Sequence, residues 1–135
     1  MGSFEIIEHT ADVGIRAYGA TREELFEQAT LGLARIIGIV TDRAGERVRV
    51  AVEAGDLGGL LVDWLSEVLY LHEVRDALLA GVHLGEVTEQ RAAGDVELVE
   101  REGEVEGTQV KAITYHGLKV EPDGDGWMAQ VYVDV

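Results

Sequence analysis

Residues 127–135 alternate without a break. Trp127, Ala129, Val131, Val133 and Val135 fall on one side, and Met128, Gln130, Tyr132 and Asp134 on the other. Successive side chains of a strand point to opposite faces, so this segment reads as a half-buried β-strand. A strand with one apolar face needs a sheet beside it and a layer beneath it, which restricts the folds open to the chain. The alternation runs to Val135, whereas chain ends usually fray. This end is therefore expected to be pinned inside the fold, with the Asp134 carboxylate next to that of Val135. Residues 110–120 read as the partner strand, joined through a turn at Asp123-Gly124-Asp125-Gly126 after Pro122. Pairing across that turn sets His116, Leu118 and Val120 against Val133, Val131 and Ala129. On the other face it sets Lys119 beside Gln130 and Tyr115 beside Asp134.

The rest of the chain alternates between strand and helix patterns. Residues 4–9 and 13–18 read as two strands joined by a polar hinge, His9-Thr10-Ala11-Asp12-Val13-Gly14. Thr21 and Glu24 form a capping box that opens a helix, in which Leu25, Phe26, Ala29, Leu33, Ile36 and Ile37 share a face and Gly38 supplies the stop. A half-buried strand follows over 47–54. Asp56 caps a second helix in which Leu57, Leu60, Leu61, Trp64, Leu65, Val68 and Leu69 form a wide apolar stripe, suited to a central position covering a sheet. An extra turn is expected over 74–80 and weaker strands over 82–87 and 96–99. The acid-rich stretch 86–106 reads as an exposed hairpin or lobe edge. This order lacks the regular alternation of parallel βαβ units. It predicts an α+β fold: one compact two-layer domain over 1–135, with an antiparallel or mixed sheet and two main helices.

Charge narrows the function. The 26 acids outweigh 11 bases for a formal charge of −15, and Lys111 and Lys119 are the only lysines. Such a surface repels a nucleic-acid backbone, so strong direct RNA or DNA binding is not expected, while a basic protein partner or metal ions fit. With no cysteine, disulfides and thiolate metal sites are excluded. No signal peptide and no bilayer-spanning apolar run are evident, so a cytoplasmic location away from membranes is expected.

Asp12 and the Asp134-Val135 end are read as one metal-binding centre. Two carboxylates with a carbonyl or terminal carboxylate suit a hard divalent cation such as calcium or magnesium. The plainer alternative is that Asp12 caps a turn and Asp134 is solvated. Lys111 or Lys119 could balance Asp134, or form an ordinary surface ion pair. Asp63, Glu67 and Tyr70 share one side of the second helix, where a second metal or a partner's arginine could sit, though a solvated helix face is the simpler account. His9, His72, His83 and His116 lack zinc-site spacing, and His116 is expected at the core edge. His9 with Asp12 could pair a base with an orienting acid. Neither Ser3 nor Ser66, however, sits in a nucleophile context. Asp123-Gly124-Asp125-Gly126 opens like a calcium loop but lacks its later ligands, so it reads as a turn.

Four blocks, HTADVGIRAYG at 9–19, LLVDWLSEVLYLHE at 60–73, VKAITYHGLKV at 110–120 and the final VYVDV, together resemble the archease family in order and spacing. The resemblance implies a small non-enzymatic α+β protein related to strand-helix-strand-strand modules, one inserted into another. It implies an activator of the RtcB-type GTP-dependent tRNA-splicing RNA ligase, promoting guanylylation of the ligase and its multiple turnover. It also implies a site for a divalent cation, usually calcium, with magnesium or manganese as alternatives, held by Asp12, Asp134 and a main-chain oxygen of Val135. His9, Lys111 and Tyr115 are candidate neighbours. Some relatives are suggested to act as chaperone-like modulators of a tRNA methyltransferase, which is the alternative partner.

Overall fold

The computed structural model describes residues 2–9, 12–103 and 105–135, with His9 and Asp12 described by their main chain alone. The elements in order are β1 (Ser3–His9), β2 (Asp12–Gly19), α1 (Arg22–Ile37), β3 (Glu46–Glu53), α2 (Leu57–Arg75), β4 (Ala77–Val87), β5 (Arg91–Glu100), β6 (Ala112–Ile113), β7 (Lys119–Asp123) and β8 (Gly126–Asp134). The expected α+β class with two main helices holds. The strands, however, divide into two antiparallel sheets: β1, β2, β8, β6 and β7 form one, with β6 and β7 both pairing with β8, and β3-β5-β4 form the other.

Both helices touch strands of both sheets, so they tie the two sheets together. This explains why α1 buries more than one stripe. Thr30, Gly32 and Ala34 are buried along with the expected apolar face. Gly32 lies so close to Ile15 and Phe4 that a Cβ there would sit 2.7 Å from an Ile15 methyl, which lets α1 approach β2 closely. The helices start as the sequence indicates. The Thr21 hydroxyl accepts the Glu24 N–H at 3.1 Å, and the Asp56 carboxylate accepts the Gly59 N–H at 2.7 Å. In α1 the return bond runs from the Ala20 N–H to Glu24 Oε1 at 2.7 Å. Gly38 closes α1 with φ of 83°, a conformation that costs glycine little.

Three expectations fail here for definable reasons. The turn expected over 74–80 is instead the end of α2 running into β4, an 11-residue strand. Two register shifts, between Leu79 and Gly81 and between Leu84 and Glu86, break its alternation, which is why only a weak strand is visible in the sequence. The acid-rich segment does form a hairpin, of β4 with β5, but not an exposed one or a lobe edge. Residues 91–100 are β5, the middle strand of its sheet, with Ala92, Val96 and Leu98 buried on one face and Asp95 and Glu97 on the other. Residues 110–120 do not form one strand. They divide into β6 and β7 around the segment 114–118, where Gly117 has φ of 62°.

No helix among the described residues is long and apolar enough to cross a membrane.

Candidate metal centre

β8 lies in the interior of its sheet, flanked by β2 on one side and by β6 and β7 on the other. Its pairing with β2 runs from Gly19↔Trp127 to Val13↔Val133. One step past that last pair stand Asp12 and Asp134, so the main-chain register brings the two aspartates to the same end of the same ladder. The other side of Asp12 is fixed too, since it pairs with His9 across the β1–β2 hairpin. The Thr10–Ala11 part of the expected hinge lies outside the described residues.

The Asp134 end is held by main-chain bonds. The Lys111 N–H donates to the Asp134 carbonyl at 2.7 Å, and Ala112 is its cross-strand partner. The Tyr132 carbonyl accepts both the Thr114 N–H at 3.0 Å and the Thr114 hydroxyl at 2.9 Å. The Tyr132 ring fits between two glycines: a Cβ at Gly14 would be 2.8 Å from it and one at Gly117 3.1 Å. The next row along the same face is a polar belt. Arg16 donates to Glu5 at 3.1 Å and to Gln130 at 2.8 Å, and Gln130 donates to the Gly117 carbonyl at 3.0 Å. The strand end is thus rigidly placed while the Asp134 and Val135 side chains stay solvent-exposed.

Among the sequence-derived site residues, Lys119 does pair with Gln130. Tyr115 does not pair with Asp134. The Thr114–Leu118 turn shifts the register between β7 and β6, so Ala112 takes that place and Tyr115 points away at 64% exposure. His116 is likewise exposed rather than facing Val133, whose partner is Ile113; its ring lies 6.1 Å from that of Tyr132. Lys111 reaches Asp134 through its main chain. Among the described residues no ion pair joins either lysine, or any other cation, to Asp134. The braces at Gly14, Thr114 and Gly117 were not anticipated. A glycine within a strand pattern, as at Gly117, was the available signal of a break.

Chemically, Asp134 and Val135 offer oxygen donors, the kind that hard cations take. Among the described residues no group of three histidine, aspartate or glutamate side chains stands close enough to hold a metal. The Asp12 side chain, which the candidate set requires, lies outside that description.

The chain matches the model of the Archease protein family over residues 4–135. It is 39% identical to the protein archease of Methanosarcina acetivorans, over 98% of this chain and 95% of that one, and 39% identical to that of Pyrococcus furiosus over the full length of both. Its fold is similar to the solution structure of a Methanobacterium thermoautotrophicum protein, with a TM-score of 0.73 and 29% identity, covering 98% of this chain and 99% of that one. It is also similar to the crystal structure of an archease, described as a possible chaperone, from Thermotoga maritima, with a TM-score of 0.66 and 28% identity, covering 97% and 96%. This chain belongs to the archease family.

Proposed function

We propose that this protein is a non-enzymatic activator of an RtcB-type GTP-dependent tRNA-splicing RNA ligase, acting through a divalent cation held at the Asp12–Asp134 end. The observation that carries this reading is the β2–β8 register, which sets Asp12 one step beyond Val13 and Asp134 one step beyond its partner Val133. Family membership supports it, as does the exposed Asp134 carboxylate, which has no ion pair among the described residues. Asp12, Asp134 and a main-chain oxygen of Val135 would hold the cation, with calcium the best fit to an all-oxygen set and magnesium or manganese as alternatives. When bound, it would supply positive charge for phosphate oxygens during nucleotidyl transfer to the ligase.

This chain's own contribution is placement. The Lys111 and Thr114 bonds fix the height of Asp134 and Tyr132, and the exposed strand end can reach into a partner's cleft. The charge of −15 favours a basic protein surface over RNA as the direct contact. His9, the main-chain partner of Asp12, sits at the same end.

The test is guanylylation of the ligase with GTP and manganese, comparing wild type with Asp134→Ala and Asp12→Asn. Slower guanylylation and loss of repeated turnover are expected for both variants, and rates equal to wild type would overturn the reading. A second reading, a chaperone-like modulator of a tRNA methyltransferase, is favoured by the description of the Thermotoga maritima relative as a possible chaperone. Stable co-purification with a methyltransferase and not with a ligase would select it.

A further inference from the structure

A cleft of about 400 Å³ opens between the C-terminal end of α2 and the segment leading into β6, apart from the candidate metal centre. Its size falls within the range of small-molecule sites. Ile37, Leu69 and Val110 form an apolar side, and His72, Glu73 and Asp76 stand at a polar end.

Three arrangements set the sign of that polar end. Helix α2 finishes here, and the last carbonyls of a helix carry partial negative charge. Its C-cap, Asp76, takes a left-handed φ of 51° and donates its N–H back to the His72 carbonyl. The side-chain cation lining the cleft, Arg101, is already engaged: its Nε lies 3.1 Å from Asp76 Oδ1, and its N–H donates to the Asp76 carbonyl at 3.1 Å. Glu73 is exposed and has no ion pair among the described residues. His72 Nδ1 lies 2.7 Å from the Ala77 carbonyl. A carbonyl can only accept, so Nδ1 carries the hydrogen and Nε2 of the neutral ring is left as an acceptor. Arg101 and Asp76 offset each other's charge, so among the described residues the charge left unbalanced at this end is that of Glu73, beside the end of α2 and an apolar wall.

We propose that this cleft binds a small aliphatic amine, of the alkylammonium or diammonium class. Its ammonium group sits among Glu73, His72 Nε2 and the end of α2, and its methylenes lie against Leu69, Ile37 and Val110. This assignment does not depend on the ligase reading.

Calorimetric titration of the full chain with 1,4-diaminobutane at low ionic strength tests it. One saturable site is expected, weakened at least tenfold in Glu73→Gln and kept in Glu67→Gln, which removes the same charge elsewhere on α2. Asp76→Asn frees Arg101 and is expected to weaken the amine while introducing binding of acetate. Absence of saturable binding, or equal losses in Glu73→Gln and Glu67→Gln, overturns the proposal, because the amine would then only condense on an acidic surface. Tighter binding of Nα-acetyl-lysine amide than of the diamine overturns the small-molecule assignment in favour of a lysine side chain from a protein.

Discussion

Thr30 and Trp64 offer a direct test of how the two helices are locked together. Both are fully buried, Thr30 on α1 and Trp64 on α2. The Thr30 hydroxyl donates to the Phe26 carbonyl at 2.6 Å and accepts the Trp64 indole N–H at 2.9 Å. Thr30→Val replaces the hydroxyl by a methyl of similar shape, so little volume changes, but the indole N–H is left buried with no acceptor. A buried donor stranded in this way costs about 1–3 kcal/mol. Thr30→Ser keeps both bonds and removes one methyl group, at about 1 kcal/mol. Unfolding entropy of about 2.1 cal/mol/K per residue implies that each 1 kcal/mol lowers Tm by roughly 3–4 °C for a chain of this length. Valine should therefore lower Tm by roughly 4–10 °C, and serine by less than valine's midrange. Urea denaturation followed by circular dichroism should show the midpoint falling with an unchanged slope. In a double-mutant cycle with Trp64→Phe, the cost of Thr30→Val should largely vanish once the indole N–H is gone. A Thr30→Val protein as stable as wild type, or less stable than wild type but more stable than Thr30→Ser, would refute the reasoning.

Four further outcomes follow from named contacts. Gly14→Ala drives a methyl into the Tyr132 ring and should cost about 1–3 kcal/mol in urea melts, with Tyr132→Ser in the same chain recovering part of the loss; a neutral Gly14→Ala would show that the ring is free to move. Asp56→Ala removes the cap of α2 and should cost about 1 kcal/mol, while Asp56→Asn should be nearly silent. Glu27→Ala removes the acceptor for the Leu84 N–H at the outer edge of β4, so hydrogen exchange at Leu84 should quicken well before the chain unfolds globally; unchanged protection would show that water or a neighbour replaces the carboxylate. Calcium at a hundredfold excess over its dissociation constant should stabilise the wild type by about 2.7 kcal/mol and Asp134→Asn far less. Identical melting curves with and without calcium would leave the proposed centre without support.

The helices and strands β1, β2 and β8 of the larger sheet were legible because their signals are local. Capping at Thr21 and Asp56 depends on a side chain and an amide three residues away. The alternation in 127–135 depends only on which side of a strand each residue occupies. Lys119 opposite Gln130 was legible as well, since the turn at 123–126 is short enough to set its own register. Tyr115 and His116 were misplaced because that register was extended through Gly117, where the chain turns and restarts three residues out of step. Only the packing of Tyr132 between Gly14 and Gly117, with Thr114 bonded to the Tyr132 carbonyl, decides where β6 resumes. The acids of α1 show the same limit. Nothing local in the sequence marks Glu23 and Glu27, yet in the fold they accept the Val87 and Leu84 N–H groups of β4, whose bulges weaken its strand signal.

The sequence by itself determined the two helices, the α+β class and the acidic residues at the end of β8, because periodicity and capping act within a few residues. Tertiary structure decided the division into two sheets, the buried place of β5 and the neighbours of Asp134. Those depend on long-range backbone pairing, in which a single extra residue changes every partner beyond it.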